Sequence, residues 1–91
     1  MTLDEAITLG EYQPEFLGQF EEFVKLSRHG QLQLIRKALE NRHKHLITQY
    51  SELNNQLNLS KKPWLFGAMD KVMERIHELE EDRERLLVDY A

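Results

Sequence analysis

The sequence predicts an all-α protein built on a long antiparallel, coiled-coil-like helical hairpin, and three observations carry that prediction. First, Leu32, Leu39, Leu46 and Leu53 repeat every seven residues, while Leu65, Met69, Val72, Ile76, Leu79, Arg83, Leu86 and Tyr90 follow alternating steps of four and three. Such spacing lays each set along one stripe of a helix. Second, Asn58-Leu59-Ser60 interrupts the pattern, and Pro63 suits the first turn of a new helix, where its missing N–H is not needed. Third, the two stripes match. In an antiparallel hairpin facing residues share a constant sum of residue numbers, about 122 for a turn near residue 61. Leu53 then faces Met69, Leu46 faces Ile76 and Leu32 faces Tyr90, so apolar meets apolar.

The remaining elements follow in chain order. Thr2 and Glu5 have the spacing of a capping box, which starts a short helix over 3–9 that ends at Gly10. Pro14 opens a second helix, expected to run to about residue 28. Its Phe16, Phe20, Phe23 and Val24 share one face. Gly30 is expected to stop that helix in a left-handed conformation. Residues 31–58 read as one long helix, with Ile35, Tyr50 and Leu57 completing its stripe, and residues 63–90 as another. We expect a single helical domain over 1–91, with N-terminal helices in 1–30 and the hairpin in 31–90.

Composition narrows the class. The 91 residues include no cysteine, so neither a disulfide scaffold nor a thiolate metal site is available. Met1 leads into Thr2, Leu3, Asp4 and Glu5, without the basic start and apolar run of a secretory signal. No run approaches the roughly 18 apolar residues of a membrane span. The expectation is a cytoplasmic protein with no membrane partner.

The net charge of −4 is unevenly distributed. Residues 31–62 hold six bases (Arg36, Lys37, Arg42, Lys44, Lys61 and Lys62) against Glu40 and Glu52, and the segments on either side are acidic. A basic helix matched by acidic neighbours explains this; contact with an anionic partner such as nucleic acid is the second reading. Overall acidity and the lack of a basic stripe interleaved with aromatics count against nucleic acid.

Several residues are candidates for chemistry. Arg42 and Arg83 fall on the seams, where a charge needs a partner. The register puts Arg42 opposite Glu80 and Arg83 close to Glu40, so two structural ion pairs are expected. An anion pocket in a small helical enzyme is the alternative. Glu40-x-x-His43 and Glu74-x-x-His77 resemble half of a di-iron carboxylate pattern, but Glu74 and His77 lie off the seam. His43 and His45, two residues apart, point away from each other on a helix and cannot share a metal. No nucleophile–base pair or phosphate loop is present. The sequence therefore predicts no enzyme, no cofactor and no metal.

Two regions are candidates for partner binding. Lys61-Lys62-Pro63-Trp64-Leu65-Phe66 sits at the hairpin tip, where a thin coiled coil cannot bury all three large side chains. It is either a hydrophobic plug or a docking site. Apolar residues outside the seam, Ile47 and Met73 with Phe16, Phe20 and Phe23, are expected at a homodimer interface; for the three phenylalanines the other expectation is core, packed across the hairpin's open end. The function these features predict is an adaptor or regulator that binds protein and works as a dimeric helical bundle.

Overall fold

A computed structural model of the chain describes residues 1–90. It contains α1 (Leu3–Leu9), α2 (Pro14–Leu17), α3 (Glu21–Val24), α4 (Arg28–Ser60) and α5 (Trp64–Asp89). Helices α4 and α5 form the long antiparallel hairpin, and α1 packs against α4. The molecule measures 50 × 27 × 16 Å.

Helix α1 begins and ends on the residues that the sequence marks for it. The Thr2 hydroxyl accepts the Glu5 N–H, at 3.2 Å. Gly10 closes the helix at φ +85°, its N–H turned back to the carbonyls of Ala6 and Ile7. Glycine is required there twice over. The left-handed backbone disfavours any Cβ, and a Cβ at residue 10 would lie 2.9 Å from the Cα, Cβ and N atoms of Arg42.

Residues 14–28 depart from the expected single helix. They form two separate turns, α2 and α3, divided at Gly18–Phe20, where Phe20 adopts an extended backbone. The reason lies in which side chains must be buried. Leu17 and Phe23 are both in the core, yet six residues along one straight helix would place them about 120° apart. Breaking the helix at a weak helix former lets both turn inward. Phe16 and Phe20 then pack edge to face, with ring centroids 5.9 Å apart, over the same core. Phe16, Phe20 and Phe23 thus take the core placement, on the chain's own core, and not the alternative at a dimer interface.

Gly30 also departs from expectation. It does not stop a helix; it lies in the first turn of α4, and its N–H is held by the hydroxyl of Ser27, the actual N-cap, at 3.1 Å. Helix α4 consequently starts three residues before the expected boundary. At its other end it runs through Asn58-Leu59-Ser60 and stops at Lys61, which takes a left-handed conformation with φ 51°. The Ser60 hydroxyl donates back to the Gln56 carbonyl at 2.9 Å, and Pro63 is the N-cap of α5, one residue before its first turn.

The hairpin core follows the heptad stripes. Ile35, Leu39 and Leu46 of α4 are buried with Leu65, Met69, Val72, Ile76, Leu79 and Leu86 of α5. The two charged seam positions fail: Arg42 and Arg83 are both exposed, and on α5 Asp82 is half-buried instead. The turn after α1 packs on the Asp82 side of α5, where Tyr12 and Gln13 donate to its carboxylate. At the open end the Arg28 guanidinium donates to the Asp89 carbonyl and lies over the Tyr90 ring, 5.1 Å from its centroid. No helix of the described residues is long and apolar enough to cross a membrane.

Candidate functional site

The hairpin has two broad faces, and the N-terminal segment occupies only one. On that face Ala38 is fully buried, and Asn41 Nδ2 donates to the Ile7 carbonyl at 2.9 Å. The turn after α1 is tied to α5 by one carboxylate. Tyr12 Oη donates to Asp82 Oδ2 at 2.5 Å, and Gln13 Nε2 donates to the same oxygen at 3.3 Å. Arg85 lies 3.3 Å from the other oxygen. Burial, then the hydrogen bond to Asp82, then the charge of Asp82 push the Tyr12 hydroxyl up to about 12; Arg42 and Arg85 pull it the other way. This junction joins residues 70 apart in sequence.

Among the described residues no other element lies on the opposite face. Ile47 lies nine residues from Ala38, and Met73 nine from Asp82, which at about 100° per residue is half a turn around each helix. Ile47 and Met73 are 44% and 41% exposed, and Phe66 is 59% exposed. Phe66, Met73, Glu80 and Leu87 recur every seven residues and so form one row along α5. Towards the open end the same side of the hairpin holds an open groove of about 750 Å³. Buried Leu39 and Leu79 contribute to its lining, together with the exposed polar residues Arg36, Glu40, Glu80 and Arg83.

These positions redistribute the charges that the sequence places on the seams. Arg83 shares the groove with Glu40 and Glu80. Arg42 lies on the covered side, against Gly10 and near Tyr12. The two arginines therefore line no common pocket. Among the described residues the ion pairs are Lys25–Glu21 at 3.4 Å, His77–Glu80 at 3.9 Å and Arg85–Asp82 at 3.3 Å. Neither Arg42–Glu80 nor Arg83–Glu40 is among them. The two Glu-x-x-His pairs are all exposed side chains, and no three His, Asp or Glu groups of the described residues gather at a metal-binding distance. Basic Arg36, Lys37 and His43 share the groove with two glutamates, so the middle segment presents mixed charge there.

The tip divides its aromatic run. Leu65 is 1% exposed and closes the end of the core, whereas Trp64 is 61% exposed and Leu59 is 89% exposed. Trp64 and Phe66 are two residues apart, about 200° around α5, so they project from opposite sides. Leu65 acts as the plug, and its two neighbours are free surface. Lys61 and Lys62 flank them, and residues 53–69 contain no acidic side chain.

No family model, characterised protein or solved structure matches this chain. The fold and its surfaces are the basis for a functional reading.

Proposed function

We propose that the chain is a non-enzymatic protein–protein interaction module, an adaptor or regulator that acts in the cytoplasm as a homo-oligomeric helical bundle. The observation that carries this reading is the exposed apolar row Ile47, Met73 and Phe66 on the face that the N-terminal segment leaves open. Half-exposed aliphatic and aromatic side chains gathered on one face of a hairpin are a common signature of a protein-binding surface. A 91-residue chain built on a hairpin also has a thin core. Packing two such faces together makes a four-helix bundle whose core is roughly doubled in thickness. Trp64 and Leu59 lie outside that face and leave the tip free for a further partner.

Light scattering after gel filtration tests the reading. At tens of micromolar the protein is expected at twice its 10.9 kDa chain mass. Ile47→Asp and Met73→Asp are expected to reduce it to one chain with an unchanged helical spectrum, since both positions are solvent-accessible within the single chain. A wild-type mass of one chain at several hundred micromolar would refute self-association.

A further inference from the structure

We propose that the occupant of the free face is a second copy of this chain, related by a two-fold axis that lays the tip of each hairpin over the open end of the other. The inference rests on the self-association proposed above and adds its geometry. Two hairpins can stack their free faces in two symmetric ways. With tip over tip, α4 of one copy lies on α5 of the other at the same level. With tip over open end, α4 lies on α4 and α5 on α5, each pair antiparallel.

The positions of the charges and of Phe66 separate the two. Glu40 and Glu80 line the same groove, so they share a level along the hairpin. Ile47 and Met73, each seven residues nearer the tip, also share a level. Stacking tip over tip would bring Lys61 and Lys62 of both copies to one level, placing four lysines together where residues 53–69 supply no carboxylate. Like charges brought together on a partly desolvated surface oppose association. Stacking tip over open end, with the axis at the level of Ile47 and Met73, separates them into two pairs.

That same axis matches the shapes. Phe66 lies seven residues, about 10 Å, to the tip side of Met73, and Glu80 the same distance to the other side. Phe66 of each copy therefore arrives at the level of the other's groove, where Leu39 and Leu79 are part of the lining. Lys62, eleven residues to the tip side, arrives at the level of Glu84 in the second copy. The acid-free, lysine-bearing tip thus meets the acidic end of α5, which carries Glu80, Glu81 and Glu84. The residues left against themselves on the axis are Ile47 and Met73, both apolar and both exposed in the single chain.

The chain contains no cysteine, so one introduced thiol reports on the axis without interference. Helices packed at about 8–10 Å bring facing Cβ atoms into disulfide range. Met73→Cys and Ile47→Cys, each oxidised mildly at a concentration where the wild type is dimeric, are expected to give a disulfide-linked dimer in most chains. Arg75→Cys, on the other side of α5, is expected to stay unlinked and reports random collision. If neither single variant links but a mixture of Ile47→Cys and Met73→Cys chains does, the orientation is overturned while self-association stands. Equal linking by Arg75→Cys also overturns the orientation. A wild type that remains one chain overturns both.

Discussion

Replacing Gly10 by alanine tests the account of how the N-terminal segment is seated. Two costs are visible. The residue sits at φ +85°, a left-handed conformation that costs an L-residue about 1–2 kcal/mol. The new methyl would also lie 2.9 Å from three atoms of Arg42, two of them backbone. A backbone cannot swing away as a side-chain end can, so α1 must lift from α4, stretching the bond between Asn41 and the Ile7 carbonyl. Overpacking of this kind costs roughly 1–3 kcal/mol. The lower entropy of the unfolded chain returns about 0.4–1 kcal/mol. The net expectation is a loss of about 2–4 kcal/mol, read as a lower urea midpoint by circular dichroism at 222 nm. Gly67→Ala is the control. Gly67 lies within α5 with nothing within 4 Å of the added methyl, so it is expected to gain about 0.5–1 kcal/mol from helix propensity. If Gly10→Ala costs less than about 1 kcal/mol, or if the two substitutions share a sign, the close approach of α1 to Arg42 is not what the structure describes.

The Tyr12–Asp82 junction gives a pH dependence. Because the folded Tyr12 hydroxyl is raised from 10.0 to about 12, its stabilising effect is complete below pH 10 and is lost as pH rises through 12. Urea midpoints across that window are expected to fall more steeply for the wild type than for Tyr12→Phe; parallel curves would remove the junction from the account. Leu17→Ala is expected to cost about 3 kcal/mol, since this fully buried side chain anchors the broken 14–24 segment in the core. A loss below about 1 kcal/mol in thermal or urea unfolding would mean that the segment is not docked in solution.

The sequence by itself determined the parts of this protein that depend on local spacing. The heptad stripes, the Thr2 cap, the Gly10 stop and Pro63 at the tip each act within one or two helical turns, so their effect is present in the order of residues. The seam from Leu65 to Leu79 is buried as the spacing predicts. The exposure of Ile47 and Met73 was likewise legible, because neither residue falls on a seam.

The tertiary structure decided what depends on competition between burial sites. It broke the 14–28 helix, because Leu17 and Phe23 could not both reach the core from one straight helix. It left Arg83 exposed and half-buried Asp82 instead, because the turn after α1 lies over α5 on the Asp82 side. It also joined Tyr12 to Asp82 across the length of the chain, and so chose which face of the hairpin stays uncovered. That last choice arises from long-range packing of α1 and its following turn, and no residue pattern along the chain records it.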